Sequence, residues 1–240
     1  MEQLKHILFI DIETVPCVAT YNLLNEEMQK QWDRKSRLFK SSNEENNVPA
    51  LLFTEKAAIF SEFAKVVSIG IGCLVEKEGG WKMVLKALSD DDEKVLLNKF
   101  CEALTRFGET AKDLRFCGHN IKEFDIPFLC RRMIINGMQL PECMQIHGKK
   151  PWEVAHLDTL DLWKFGDHKH YTSLALLAAV LNIPSPKDDI DGSMVGDVYW
   201  NEHNLPRINR YCLQDVFTTA KIFLRLKGIN NIHPEPQYVD

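Results

Sequence analysis

The stretch Ile7-Leu8-Phe9-Ile10-Asp11-Ile12-Glu13-Thr14 decides how this chain is read. The apolar run over residues 6–11 has the pattern of a strand buried on both faces. Asp11 and Glu13 lie two apart at its end, and strand alternation sends both side chains to one face. Buried carboxylates repel one another and resist ionising unless positive charge is placed among them. Divalent cations supply that charge, and oxygen ligands suit Mg²⁺ and Mn²⁺. The D-x-E spacing alone is weak evidence. It recurs at Asp91 and Glu93, where a solvated helix start is the better reading. The apolar strand in front of Asp11 sets the first pair apart.

Two more segments put carboxylates beside residues that look buried. One is His119-Asn120-Ile121-Lys122-Glu123-Phe124-Asp125, which follows a predicted strand over Leu114–Gly118. Taken singly, Asp125 reads as a helix cap and Asn120 as a turn residue. The other is Tyr211-Cys212-Leu213-Gln214-Asp215. Tyr211 and Asp215 are four apart and share one face of a predicted helix. Cys212, Val216 and Phe223 mark that helix as packed into a core, where an aspartate needs a partner. A metal cluster would supply one, and the Tyr211 phenol could then hydrogen-bond an attacking water.

Around these segments the chain alternates strands and helices. Residues 66–75 read as a second strand, Glu78-Gly79-Gly80 as a turn, and Trp81 to Leu88 as the strand completing a hairpin. Ser89 with Asp90, Asp91, Asp92 and Glu93 starts a helix, with acids favoured at its N-terminal dipole. Leu96, Leu97, Phe100, Leu104 and Phe107 follow at helical spacing, with Gly108 as the expected stop. Further helices are expected over Phe124–Asn136, ended by Gly137, and from near Pro206 to Gly228. Tyr171 to Leu181 is apolar nearly all round, which predicts a buried helix. Residues 16–65 are too many for a simple loop. Helical patterns occur there at Trp32–Phe39 and Glu55–Phe63, with a polar, mobile-looking Ser41–Asn47 between them. No internal repeat or linker divides the chain. Residues 1–240 therefore read as a single α/β domain with a helical insertion at about 16–65.

The chain has 240 residues, a net charge of −5 and 45% apolar residues, with a sequence pI of about 5.9. That balance argues against a broad basic surface for gripping duplex DNA, while leaving room for a local groove that holds a strand end. Seven cysteines, at 17, 73, 101, 117, 130, 143 and 212, include no CxxC pair. An odd number of scattered thiols fits a reducing compartment better than a disulfide framework or a zinc site. The charged start Met1-Glu2-Gln3-Leu4-Lys5-His6 does not read as a signal peptide, and no apolar run is long enough for a membrane span. The expected location is the cytoplasm.

The three acidic segments, in this order, resemble the DEDD superfamily of 3′–5′ exonucleases. The first family motif, D-x-E after a strand, matches Asp11-Ile12-Glu13. The second, N-x₂₋₃-(F/Y)-D, matches Asn120 to Asp125, with one loop residue of latitude. The third comes as Y-x₃-D or H-x₄-D. Tyr211 to Asp215 fits the first form, and Arg210 stands where the second would need histidine. The match is thus to the tyrosine (DEDDy) subgroup, which includes the proofreading exonuclease of family B DNA polymerases. The run from Gly118-His119-Asn120 to Phe124-Asp125-Ile126-Pro127-Phe128-Leu129 looks especially like family B.

The resemblance implies a ribonuclease H-like fold, a five-stranded mixed sheet flanked by helices, with a fifth strand near Ala155 to Leu157. It implies two divalent ions, Mg²⁺ or Mn²⁺, which such sites place about 3.5–4 Å apart to clamp a phosphodiester under in-line attack by water. Asp11, Glu13 and Asp215 would hold the catalytic metal, Asp11 would bridge to the second, and Asp125 would act partly through water. Tyr211 would orient the water, while Thr14, Asn120 and Phe124 would position the terminal nucleotide. The 16–65 insertion departs from the family pattern. At 240 residues there is no room for a polymerase module, so the chain is expected to stand alone.

The expected activity is release of nucleoside monophosphates from single-stranded nucleic acid ends, DNA ahead of RNA. An RNA-trimming enzyme and a non-catalytic binding module on the same fold are the alternatives. The intact quartet with its tyrosine argues against the binding module. Other signals carry less. His168-Lys169-His170 lacks the matching ligands of a zinc site and reads as a solvated loop. Gly70-Ile71-Gly72 lacks the third glycine and the helix of a dinucleotide loop. Lys187-Asp188-Asp189-Ile190-Asp191-Gly192 reads as a polar turn.

Overall fold

The computed structural model describes residues 2–39, 48–110, 113–167, 169–184 and 190–239. Ser41–Asn47, His168 and Lys187–Asp189, singled out above, lie outside the described residues. At the centre is strand β1, Ile7–Pro16. It pairs antiparallel with β2, Ala64–Lys77, and parallel with β4, Arg115–Gly118. β2 turns into the antiparallel β3, Gly80–Ser89, through Gly79 and Gly80 at φ +94° and +126°, values that only glycine adopts freely.

The expected fifth strand is β5, Leu157–Asp158, one step later than predicted and parallel to β4. A sixth strand, β6 at Glu235–Tyr238, was not expected. It lies parallel to β3 at the sheet edge, giving the order β5-β4-β1-β2-β3-β6. Its sequence, Glu-Pro-Gln-Tyr, carries no alternating apolar pattern. Edge pairing tolerates Pro236, and Lys77 and Lys82 on the neighbouring strands bond Gln237 and Glu235.

The two faces of β1 build two cores. Leu8, Ile10 and Ile12 join Phe100, Phe116, Ile126, Phe128 and Leu129 on one side. That side is covered by helix α3, Glu93–Thr110, and helix α4, Asp125–Ile135. Asp92 caps α3 by accepting from the Lys94 and Val95 amides. The helix runs through Gly108 to Thr110 instead of stopping there, since a lone helical glycine costs only about 1 kcal/mol. α4 ends as expected, with Gly137 at φ +69°. On the other face, Ile7 and Phe9 pack with Leu213, Val216, Ala220 and Phe223 of the long helix α8, Leu205–Leu226.

Gly70 and Gly72 of β2 explain how closely α8 lies. A Cβ added at Gly70 would fall 2.9 Å from both Cys212 Sγ and Val216 Cγ2, and one at Gly72 would fall 3.2 Å from Val216 Cγ1. These glycines serve helix–sheet packing.

Residues after β1 form a satellite around Trp32. Helix α1, Glu26–Ser36, and helix α2, Pro49–Lys56, followed by a 3₁₀ turn at Ala57–Ile59, start earlier than the sequence patterns suggested. Asn25 caps α1, and Trp32 packs edge-on against Phe53 and Phe63 while its indole N–H donates to the Pro49 carbonyl. Three short helices complete the described fold: α5 at Thr159–Lys164, α6 at Leu174–Val180 and α7 at Val195–Trp200. α6 begins only after Ser173, whose side chain accepts from the Leu176 amide. It is not buried all round. Leu177 and Ala178 are covered and Leu176 and Val180 face solvent, while Leu174, Ala175, Ala178 and Ala179 wall a cleft. Among the described residues no helix is long and apolar enough to cross a membrane.

Candidate active site

Phe9, Asp11 and Glu13 share the α8 face of β1. Phe9 packs into the core, and the two carboxylates continue the same row toward the strand's end. Asp11, Glu13 and Cys212 of α8 each place one ligand atom within 4.8 Å of the others. Asp215 and Tyr211 lie on the exposed side of the same α8 face, and the Tyr211 hydroxyl donates to the Asp215 carboxylate. Asp125 arrives from the opposite core. It is the first residue of α4, only 3% exposed, with its carboxylate bonded by the Ile12 amide between the two β1 acids. The structure thus brings Asp11, Glu13, Asp125, Tyr211 and Asp215 together from three elements.

The electrostatics follow from crowding. Burial first, then Glu13, Asp215 and Asp125, push the Asp11 carboxyl well above the usual range. Burial, Asp215 and Asp125 do the same to Glu13. Asp125 is pushed up to about 7 by burial and by Asp158. Burial and the neighbouring carboxylates also raise the Tyr211 phenol, which keeps its proton. Four hard oxygen donors brought together in this way fit a divalent metal. The Cys212 thiol does not belong to that set. It accepts from the Gly70 amide at 3.1 Å and donates to Asp11 at 3.4–3.5 Å, and burial holds it protonated.

The three nucleotide-binding candidates are arranged differently. The Thr14 hydroxyl donates to the Ala58 carbonyl at 2.8 Å, tying the catalytic strand to the insertion. Phe124 tilts onto Phe128 at 5.4 Å and is half-buried at the N-terminus of α4. Asn120 sits at φ +65°, a conformation asparagine tolerates better than most residues.

What holds Asn120 there is Asp158, which the sequence reading missed. Its carboxylate accepts from the Asn120, Lys122 and Leu160 amides at 2.9, 3.1 and 2.9 Å. One buried side chain thus caps α5 and shapes the loop that carries the second motif. The available signal was an aspartate between an apolar residue and a helical pattern, Leu157-Asp158-Thr159-Leu160.

Beside the carboxylates opens a cavity of about 640 Å³, lined by Asp11, Tyr211 and Asp215, by His119, Tyr171, Ser173 and Leu174, and by further residues of α6 and α8. Its acidic floor and apolar side wall suit a nucleotide whose phosphate meets cations at one end.

Residues 59–239 match a family described as "Predicted 3'-5' exonuclease related to the exonuclease domain of PolB". The chain belongs to this family and is an enzyme of the 3′–5′ exonuclease class. The matched range holds Asp125, Tyr211 and Asp215, and the fold adds Asp11 and Glu13 from β1. The family implies divalent-metal dependence and binding of nucleic acid. No curated protein matches the chain significantly. Among solved structures, the family B DNA polymerase from the hyperthermophilic archaeon Pyrobaculum calidifontis is similar over 92% of this chain, at 17% identity and a TM-score of 0.53. The match covers 24% of that polymerase, so the chain spans about a quarter of its length. The likeness is one of fold, the ribonuclease H-like sheet and its flanking helices.

Proposed function

We propose that this chain shortens single-stranded nucleic acid from its 3′ end, releasing nucleoside monophosphates, with DNA preferred over RNA. The observation that carries the reading is the convergence of Asp11, Glu13, Asp125 and Asp215, buried and crowded enough to raise the Asp11 and Glu13 carboxyls, beside a nucleotide-sized cavity. Asp11, Glu13 and Asp215 would hold one divalent ion, with Asp11 reaching a second and Asp125 acting partly through water. Two ions, Mg²⁺ or Mn²⁺, would when bound neutralise the scissile phosphate and lower the pKa of an attacking water.

The side chains divide the remaining work. Tyr211 keeps its proton and gives it to Asp215, which leaves the phenol oxygen to accept from a water and orient it. Asn120 and Phe124 wall the terminal nucleotide. Thr14 does so through its backbone and methyl, because its hydroxyl is engaged by Ala58. We take residues 1–240 as one catalytic domain whose 16–65 insertion flanks the entrance. With a net charge of −5, it holds a few nucleotides at an end and does not track along a duplex. Its seven free thiols suit the reducing cytoplasm.

The test uses pure protein with Mn²⁺ and matched 5′-labelled DNA and RNA strands. The expected product is a ladder shortening from the 3′ side, faster on DNA, with a circular single strand resistant. Rapid nicking of the circle, lost in Asp11→Ala, would establish a nuclease of another kind on this fold.

A further inference from the structure

Tyr171 stands on the side wall of the catalytic cavity, in the same lining as Asp11, Tyr211 and Asp215. Its ring is 67% exposed and joins none of the hydrophobic clusters built from the described residues. A single exposed aromatic is ordinary on a protein surface. This one differs in being held. His119, just before the Asn120 of the second motif, faces Thr159 Oγ1 with Nδ1 at 2.9 Å and the Thr172 carbonyl with Nε2 at 2.8 Å.

Burial lowers the His119 pKa and keeps the ring neutral, so Nε2–H donates to the Thr172 carbonyl, while Nδ1 faces the Thr159 hydroxyl, which also donates to the Gly118 carbonyl at 3.2 Å. The second-motif loop thereby grips the carbonyl next to Tyr171, and the His119 ring props the Tyr171 ring edge-to-face at 6.3 Å. Burial and then Asp125, Asp158 and Asp11 raise the Tyr171 phenol pKa. The ring is thus propped by His119 and lines the cavity.

We propose that Tyr171 is the stacking platform for the base at the substrate's 3′ end. This rests on the exonuclease reading and deepens it. A base can reach the ring only when unpaired, so the wall selects a frayed or single-stranded end. Stacking tolerates every base, so end composition should matter little.

The test compares strands ending in a normal nucleotide with strands ending in an abasic one, by kinetics and by fluorescence anisotropy of the labelled strand. Loss of one base–aromatic stack costs roughly 5- to 150-fold in affinity. Tyr171→Ala should lose affinity and raise KM by about that factor on normal ends. Tyr171→Phe and Tyr171→Trp should retain the wild-type values, and all variants should match wild type on the abasic end. Trp152→Ala removes an aromatic that is 77% exposed and outside the cavity lining, and should change nothing. If Tyr171→Ala fails to fold, Tyr171→Leu serves the same comparison.

An equal loss on normal and abasic ends, or no loss on either, overturns the platform while leaving the exonuclease reading intact. A wild-type protein that neither binds nor shortens any strand overturns both.

Discussion

Asp125 shows what a buried carboxylate costs its own fold. It is buried with its carboxyl pushed up to about 7, and Asp11 and Glu13 are raised beside it. Each unit of such a shift is about 1.4 kcal/mol of unfavourable interaction in the charged form. Replacing any of Asp11, Glu13, Asp125 or Asp215 by its amide should therefore abolish most activity and stabilise the metal-free protein near pH 8. Thermal unfolding in chelator is the measurement, at about 2–4 °C per kcal/mol for a chain of this size. Amide variants that melt below wild type would show that repulsion does not govern the cluster. Tyr211→Phe should cost activity near the low end of the roughly 10²–10⁴-fold range for acid–base and positioning groups, read as kcat at saturating metal. The grouping of the four acids and Tyr211 was legible because the three motifs, taken in order, resemble those of one exonuclease superfamily, although Asp125 taken singly reads as a helix cap. Asp158 was not, because its three amide partners come together only when β5 lies beside β4. Nor could spacing foretell that the Thr14 hydroxyl would be taken by Ala58, 44 residues later in the chain.

Among the elements, α8 carries the most. It packs on β1, β2 and β3 and presents Tyr211, Cys212 and Asp215 toward the β1 acids. Its depth is set by Gly70, where a Cβ would meet the Cys212 sulfur and Val216 at 2.9 Å and the Cys212 carbonyl at 3.3 Å. The carbonyl is backbone and cannot swing aside. Gly70→Ala should therefore lift α8 by a fraction of an ångström, at roughly the 1–3 kcal/mol that overpacking costs. Activity should fall as well, by less than the roughly 10²-fold that a misplacement of about 1 Å costs. Parallel measurement of kcat and thermal unfolding checks this. Wild-type turnover in a folded Gly70→Ala protein would show that the site tolerates the shift. Elements with strong internal patterns were legible: the β2–β3 hairpin, α4 and α8 start and end within two residues of expectation, and β1 starts where expected but runs on past Asp11 to Pro16. Those that depend on neighbours were not. β6 is made by pairing with β3, and the apolar surface of α6 gives no hint of which side the cleft leaves open.

Across the whole molecule, acid stability should be written largely in histidine. His156 is buried against the Phe116 ring at 5.0 Å and accepts the Phe116 amide on Nδ1 at 3.4 Å, with the Cys143 backbone as the neighbour left for Nε2. Burial lowers its pKa to about 4 from the ordinary 6.5. Burial also lowers His119. For a base whose folded pKa is depressed, the unfolded chain binds the extra proton between the two values. The stabilisation is then complete above about pH 6.5 and is lost as pH falls toward 4. Raised carboxyls run the other way, since the folded state then binds the extra proton and stability falls as pH rises through their folded values. The opposing slopes are separated by subtraction. His156→Phe keeps an aromatic ring and removes only that titration. The difference in unfolding free energy between wild type and His156→Phe should be flat above pH 6.5. Below it, the difference should shift against wild type by about 3 kcal/mol on reaching pH 4, the product of the shift and about 1.4 kcal/mol per unit. Urea unfolding at half-unit pH steps in chelator reads this directly. A difference that stays constant across that window would mean the His156 ring takes up its proton inside the fold, by way of a partner for Nε2.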